Sequence, residues 1–280
     1  MTSTMSKTAC SSSFVALSDA CLAMARGDCE AAIVGGTSLI LTPKTTILLT
    51  EFGALSPDGS SKAFSADANG YARGEAINAI YVKPLHAALR DGNPVRAVLR
   101  AVATNHDGKT PGLTTPGVDA QEALVRQAYQ LAGIDDYGET GFFELHGTGT
   151  VVGDRLETKA AARVFGGCGM HITSVKPNLG HTEGASGLTS LIKVVLALEN
   201  RTIPPNIKFS APNPEIPWET ARFAVPLEPT PWPENKRERV SVNNFGIGGT
   251  NGEYRYPDNY HAQDTRPLTR TSPRYCRIGS

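Results

Sequence analysis

The sequence predicts an α/β protein with helices layered against sheet. Short apolar or alternating runs of strand length alternate along the chain with longer alanine- and leucine-rich runs of helix length, the pattern of elements that pack in layers. The residues of greatest chemical potential, Cys10, His146 and His181, fall at the ends of those elements. Sheets of this class gather their ligand sites at strand ends. The 280 residues suffice for a buried core, and no short-period repeat points to a solenoid.

In chain order, residues 11–26 carry only Asp19 as a charge before Arg26, which predicts a buried helix ended by Gly27. Residues 30–34 predict a short strand closed by Gly35-Gly36, and residues 44–51 a second helix. Ser56-Pro57-Asp58-Gly59 is a turn, followed by a glycine- and aspartate-rich loop at 64–74. A loosely alternating strand is expected at 75–83, a helical turn at 86–91 stopped by Gly92, a strand at 95–102 and a long loop at 105–117. Asp119 and Asp154 are expected to cap helices at 120–132 and through Val164, because a carboxylate there accepts orphan backbone N–H bonds. Strands at 142–145 and 172–175 each lead into a loop that carries a histidine. A long apolar helix is expected at 184–198, with Pro204-Pro205 as a stop beyond it. Residues 212–233 are proline-rich and read as irregular chain; residues 240–243 form a strand; from Glu253 to 280 the composition predicts an irregular tail.

Composition narrows the function. Lysine plus arginine equals aspartate plus glutamate at 27 each, so no global charge attracts nucleic acid or an anionic membrane, although a local patch for an acidic partner is compatible. The five cysteines are odd in number and contain no CxxC pair, which argues against a zinc site or disulfide framework and for a reducing, cytoplasmic setting. No signal peptide or membrane span is expected, the longest apolar stretch being broken by Lys193.

Cys10 lies at the predicted start of a helix, where unpaired N–H groups favour a thiolate. A buried free cysteine is as often a small hydrophobe, so position alone leaves both readings open. His146, in His146-Gly147-Thr148-Gly149, and His181, in Gly180-His181-Thr182-Glu183-Gly184, share a strand–histidine–glycine context in which substrate can approach the backbone. One thiol that can carry an acyl group, with two imidazoles that can stabilise charge on a second thioester, suits thioester condensation. His86, His106, His171 and His261 lack that context. Phe245-Gly246-Ile247-Gly248-Gly249-Thr250-Asn251 suits a phosphate nest or a backbone turn lining an active site, and it lacks the Lys-Ser/Thr of a P-loop. No bound metal or nucleotide is expected, since the spacing shows no ligand cluster and no complete phosphate motif.

The motifs together resemble the β-ketoacyl synthase (ketosynthase) domain of polyketide and fatty acid synthases. The matching runs are Thr8-Ala9-Cys10-Ser11-Ser12-Ser13, Leu55-Ser56-Pro57-Asp58-Gly59, Asn69-Gly70-Tyr71-Ala72-Arg73-Gly74-Glu75, the two histidine loops, Ile203-Pro204-Pro205-Asn206 and Gly248-Gly249-Thr250-Asn251, in order over about residues 5–251. The wording around Ala197-Leu198-Glu199-Asn200 is most similar to fungal iterative synthases. The resemblance implies a thiolase-like layered α-β-α-β-α fold. It implies that Cys10 takes an acyl chain from the phosphopantetheine of an acyl carrier protein. His146 and His181 then support decarboxylation of malonyl carrier protein, the backbone N–H groups of Cys10 and Ile247 form an oxyanion hole, and Lys176 orients the loop of the second histidine. It implies no cofactor of the domain's own, and a homodimer for a complete domain.

By the same resemblance, residues 1–94 are the remainder of an N-terminal half, 95–252 the C-terminal half and 253–280 a tail. Nine residues precede Cys10 where the family has a long segment, so the fold is expected to be incomplete in its N-terminal half, with little condensing activity for the chain alone. Lys7, Arg155, Ile247 and Gly252-Glu253 depart from the family pattern. A non-catalytic fragment or inactive partner subunit is the competing reading. A cysteine hydrolase is disfavoured by the second histidine.

Overall fold

Two apolar helices lie between two sheets, and a second helix pair covers the far side of the larger sheet. The computed structural model describes residues 3–112, 114–256 and 276–279. A 3-10 turn, Ala9–Ser11, runs into α1, Ser12–Arg26, which ends as expected on Gly27 in the left-handed conformation. There follow β1 (Ala32–Ser38), α2 (Lys44–Glu51), β2 (Ala76–Pro84) and α3 (Leu85–Arg90). Next are β3 (Ala97–Leu99), β4 (Ala101–His106), α4 (Val118–Leu131), β5 (Thr140–Glu144) and α5 (Val151–Phe165). Then come β6 (Met170–Thr173), α6 (Lys176–Leu179), α7 (Ser186–Glu199), β7 (Thr202–Ile203), α8 (Trp218–Ala221), β8 (Phe223–Ala224) and β9 (Thr230–Pro231). The last are β10 (Arg237–Phe245), β11 (Thr250–Tyr256) and β12 (Cys276–Gly279).

One sheet has the order β1-β2-β12-β3 and the other β4-β11-β10-β5-β6-β8. In the larger sheet β10, β5, β6 and β8 run parallel, so the chain segments following β5 and β6 leave from the same edge. Both histidine loops start there. Between the sheets, Phe14 and Leu17 of α1 meet Leu188, Leu191 and Val194 of α7, all with no solvent exposure. Full burial of each such side chain contributes roughly 1.5–3 kcal/mol. The two helices touch closely because position 187 is glycine: a Cβ there would stand 2.2 Å from Phe14 Cδ1. The other face of the larger sheet packs Phe143 and Ile172 against Val125 and Tyr129 of α4 and Val164 and Phe165 of α5. The outward face of the smaller sheet leaves Ile33 and Ile77 each 78% exposed. Four alternating layers are therefore visible among the described residues, and no fifth, helical layer covers that face.

Several expectations change. Gly35-Gly36 does not close β1; the strand continues to Ser38, and Gly36 lets the Glu183–Ala185 turn approach, since a Cβ would lie 2.9 Å from Ala185 Cα. The strand expected at 95–102 divides at Arg100 into β3 and β4, which join different sheets. Asp119 is not a cap: α4 is capped by Gly117, and the Asp119 carboxylate pairs with Arg163 at 2.6 Å. Asp154 is not a cap either, because α5 begins after Thr150 and Asp154 sits one turn inside. The tail is not wholly irregular, since β11 continues through Glu253 to Tyr256 and β12 pairs with β2 and β3. Residues 257–275, which include His261, lie outside the described residues.

Candidate active site

The turn before α1 holds Cys10 in a fixed pose. Ala9 adopts φ +54°, a left-handed conformation that strains a residue with a Cβ. Hydroxyls hold it: Ser12 Oγ donates to the Ala9 carbonyl at 2.6 Å, Ser11 Oγ donates to the Thr8 carbonyl at 2.8 Å, and the Thr8 N–H donates back to Ser12 Oγ at 2.9 Å. The serines following Cys10 thus lock the turn. From α7, Ser186 Oγ donates to the Cys10 carbonyl at 3.2 Å. Cys10 is 3% exposed, and burial pushes its thiol up to about 12, assisted by the nearby Glu183 charge. The backbone N–H groups of Ile247 and Cys10 and the Lys176 ammonium act in the opposite direction. The low pKa expected of a helix-start thiol is therefore not found: desolvation outweighs those favourable groups.

His146 extends from β5 onto a bed of acid. Glu157, in the second turn of α5, accepts the backbone N–H of His146 at 2.7 Å and of Gly147 at 2.9 Å, and Asn243 Nδ2 at 3.1 Å. Asp154, three residues earlier on the same helix face, accepts Gly149 N–H at 3.1 Å and Phe64 N–H at 2.8 Å. Burial raises both carboxyls, Asp154 to about 6 and Glu157 to about 7. Lys176 Nζ donates to the His146 carbonyl at 2.5 Å, while its own carbonyl accepts Gly180 N–H at 2.8 Å. The Lys176 side chain thus braces the first histidine, and only its backbone reaches the second histidine's loop.

His181 is held by its backbone, with its N–H on the Ala72 carbonyl at 2.7 Å and its carbonyl accepting Gly74 N–H at 2.8 Å. Gly74 is required there, because a Cβ would stand 2.4 Å from the Leu179 carbonyl oxygen. His181 Nδ1 accepts Glu183 N–H at 3.2 Å. His146 Nδ1 lies 3.3 Å from Asn244 Nδ2, whose amide also donates to Ser186 Oγ at 2.9 Å. With both Nδ1 atoms accepting, the proton of each ring sits on Nε2. Burial and the Lys176 charge hold both imidazoles well below their usual pKa, hence neutral.

The three groups converge. Cys10 Sγ and one ring nitrogen of each histidine lie within 4.8 Å of one another, and the two rings stand edge to face at 5.4 Å. This is a donor-capable cluster that linear spacing hid, since its members are far apart in the chain. Each Nε2 carries a hydrogen rather than a free lone pair, which suits an oxyanion better than a metal. The cluster opens into a cavity of about 300 Å³ whose wall includes Tyr71, Thr148, Phe245 and Ile247. The glycine run resolves as the β10–β11 turn, with Gly246 N–H donating to the Thr250 carbonyl at 2.8 Å. It lines the cavity and presses on the turn that carries Cys10, since a Cβ on Gly246 would lie 2.4 Å from the Thr8 carbonyl oxygen.

Sequence reasoning missed Asp154 and Glu157 as supports, together with Asn244 and Glu144. The spacing of two acids three apart in the first turns of a helix was the available signal. Of the departures, Gly252 backs on Phe14, where a Cβ would meet the Phe14 Cβ at 3.1 Å, and Arg155 pairs with Glu215 at 2.5 Å.

Comparison with known proteins supplies the family. Residues 2–88 match the model of the beta-ketoacyl synthase N-terminal domain, 96–210 that of the C-terminal domain, and 212–274 that of the ketoacyl-synthetase C-terminal extension. The chain is 63% identical over 245 residues to the highly reducing polyketide synthase VdtX of Byssochlamys spectabilis, and to the same extent to the highly reducing polyketide synthase sphB of Aspergillus fumigatus. Each alignment takes in 88% of this chain but only 11% and 10% of those relatives, so the chain spans about a tenth of their length. The oxazolomycin ketosynthase domain OzmH KS7 of Streptomyces albus superposes with TM-score 0.86 at 33% identity, over 90% of this chain and 46% of that one. A ketosynthase from module 6 of the bacillaene synthase of Bacillus subtilis superposes with TM-score 0.87 at 36% identity, over 92% and 47%. Among the described residues no helix is long and apolar enough to cross a membrane. Sequence, fold and family models agree, and the chain belongs to the β-ketoacyl synthase family, with its α/β thiolase-like fold.

Proposed function

We propose that these residues carry out the decarboxylative condensation of an acyl thioester with malonyl thioester, as the ketosynthase part of a polyketide synthase. The observation that carries this reading is the convergence of one buried thiol with two imidazoles, a nitrogen of each ring and Cys10 Sγ lying within 4.8 Å of one another while both Nδ1 atoms have neighbouring N–H partners. In the first half-reaction Cys10 Sγ attacks the acyl carbonyl of a thioester borne on a carrier protein's phosphopantetheine. Its proton passes to the departing carrier thiolate, and a Cys10 thioester remains. Malonyl thioester then loses carbon dioxide, and the C–C bonding pair becomes an enolate whose oxygen accepts hydrogen bonds from Nε2–H of His146 and His181. The enolate carbon attacks the Cys10 thioester. The resulting oxyanion accepts the backbone N–H groups of Cys10 and Ile247, and collapse expels the Cys10 thiolate, which is reprotonated. The high thiol pKa means that the resting group is protonated at neutral pH, so loading is where the N–H groups of Ile247 and Cys10 act first. Lys176 and Glu157 hold the His146 loop in register. A carrier protein as partner, a homodimeric complete domain and a larger multidomain chain belong to this same reading.

The test is intact-protein mass spectrometry with hexanoyl-pantetheine, then malonyl-pantetheine. The reading expects one hexanoyl adduct on Cys10, then its discharge as a β-ketoacyl thioester with release of carbon dioxide. His146→Ala and His181→Ala should load but not discharge. Adducts distributed over the other cysteines, or discharge unaffected by both histidine changes, would overturn it.

A further inference from the structure

The two histidines of the cluster are oriented by different means. His146 Nδ1 faces the side-chain amide of Asn244, which has no solvent exposure. His181 Nδ1 instead accepts a backbone N–H, that of Glu183, at 3.2 Å. His181 is 1% exposed and its Nε2 has no hydrogen-bond partner among the described residues, so the contact at Nδ1 is what selects its tautomer.

That N–H comes from a strained residue. Glu183 adopts φ +43°, a left-handed conformation that glycine enters freely and a residue with a Cβ enters at a cost. It opens the 3-10 turn Glu183–Ala185 between His181 and α7. This turn abuts the one that carries Cys10, since a Cβ on Gly184 would lie 3.8 Å from the Ala9 carbonyl oxygen. Such strain persists only where surrounding contacts over-determine it, and here the Glu183 side chain makes them. Arg73 Nε lies 3.5 Å from Glu183 Oε1, with 9% of the arginine side chain and 23% of the glutamate exposed. Tyr71 O–H donates to the same oxygen at 3.4 Å, and its ring stands edge to face with His181 at 4.9 Å. Arg73 is itself anchored. Its Nη1 donates to Thr46 Oγ1 of α2 at 2.7 Å, and its neighbours Ala72 and Gly74 bond the His181 backbone from both sides. The guanidinium and the carboxylate therefore form a brace that runs from α2 to the strained turn.

We propose that Glu183 is a positioning residue for His181: paired with Arg73, its carboxylate holds the strained turn that aims the Glu183 N–H at His181 Nδ1, and so keeps the ring's Nε2–H directed at the substrate oxygen. This rests on the condensation reading given above and adds to it a residue that acts on decarboxylation without touching substrate. The carboxylate is needed because the backbone at 183 is strained. A glycine at that position takes the same conformation without a brace.

The experiment separates loading of Cys10 by hexanoyl-pantetheine from its discharge by malonyl-pantetheine. Glu183→Gln and Arg73→Gln should each slow discharge roughly tenfold, the size of one net hydrogen bond to the ring. Loading should stay within twofold or quicken, since the Glu183 charge opposes the thiolate. Glu183→Gly should discharge within about threefold of wild type, and combined with Arg73→Gln it should cancel the arginine's effect, because pinning is no longer required. Equal falls in loading and discharge, discharge unchanged in Glu183→Gln, or Glu183→Gly as slow as Glu183→Gln would overturn the proposal. A second measurement needs no turnover. In unmodified chain labelled at the histidine nitrogens, NMR should show His181 with a bare Nδ1 and a protonated Nε2 in wild type and Glu183→Gly, and a mixture of tautomers in Glu183→Gln. A brace that only stabilised the fold would leave that signal unmoved in Glu183→Gln, and an unmoved signal would overturn the proposal. Wild-type chain that never loads Cys10 would sink the condensing reading alone, with the His181 signals still deciding this one.

Discussion

Replacing Glu157 by glutamine tests the support beneath His146, and its effect should reverse with pH. The wild-type carboxyl is buried, with a pKa pushed up to about 7 from the ordinary glutamate value of 4.5. A folded-state pKa above the unfolded one means that the folded chain holds this proton longer, so this contribution is fully present below pH 4.5. It is lost as pH rises through about 7. A shift of that size corresponds to a loss of about 3 kcal/mol between pH 4.5 and 8, at about 1.4 kcal/mol per pH unit. Glutamine cannot ionise and has no such slope. It also turns an NH2 toward one of the three donors that now share the carboxyl, Gly147 N–H, His146 N–H and Asn243 Nδ2. One frustrated donor costs about 1–2 kcal/mol. Glu157→Gln should therefore be less stable than wild type by about 1–2 kcal/mol at pH 4.5 and equal to it or more stable at pH 8. Urea unfolding at both pH values, read as ΔΔG, measures this. Stability curves that run parallel across the range would show that Glu157 ionises without penalty and that the burial argument is wrong.

Other expectations follow from single contacts. Iodoacetamide at pH 7 should alkylate exposed Cys168 faster than Cys10, and the Cys10 rate should still be climbing above pH 9; peptide mapping with Cys10 the faster site would contradict the desolvation that holds its thiol near 12. Lys193→Met should cost about 3–5 kcal/mol, because it strips the 2.6 Å cation partner from Glu144, which has no exposure; the double variant with Glu144→Gln should recover most of that in urea unfolding. Gly187→Ala should cost about 1–3 kcal/mol by forcing α7 from Phe14, and a thermal midpoint unchanged within error would refute the close crossing.

Much of the scaffold was legible because its signals are local. Residues 44–51 are helical as read, and α1 runs from just after Cys10 to Gly27, since alanine- and leucine-rich composition and a left-handed glycine act within a few residues. The strands before the two histidines were found from their apolar runs, although β10 is longer than its apolar centre because the polar Asn243 and Asn244 are used inside, on Glu157, His146 and Ser186. The failures share one cause. Asp119, Asp154 and Gly36 each look like helix or turn punctuation locally, yet each is committed to a partner distant in sequence: Arg163, Phe64 and Ala185. Glu144 is likewise silent in the sequence. Its carboxylate accepts Thr173 Oγ1 at 2.5 Å, Val175 N–H at 2.7 Å and Lys193 Nζ at 2.6 Å, joining β5, the loop before α6 and α7. The thiol illustrates the same limit: helix-start position was readable, but the burial that overrides it was not.

The central claim is that Cys10, His146 and His181 divide condensation into loading and decarboxylative attack. The most direct measurement places residues 6–250 into the matching position of the Byssochlamys spectabilis relative, with which the chain shares 63% identity, and reads product formation together with the acyl-enzyme. The account predicts that this hybrid condenses, that Cys10→Ala carries no acyl group and makes no product, and that His146→Ala and His181→Ala accumulate acyl-Cys10 without releasing carbon dioxide from malonyl thioester. Product formed by the hybrid with Cys10→Ala, or decarboxylation undiminished when both histidines are replaced, would contradict it.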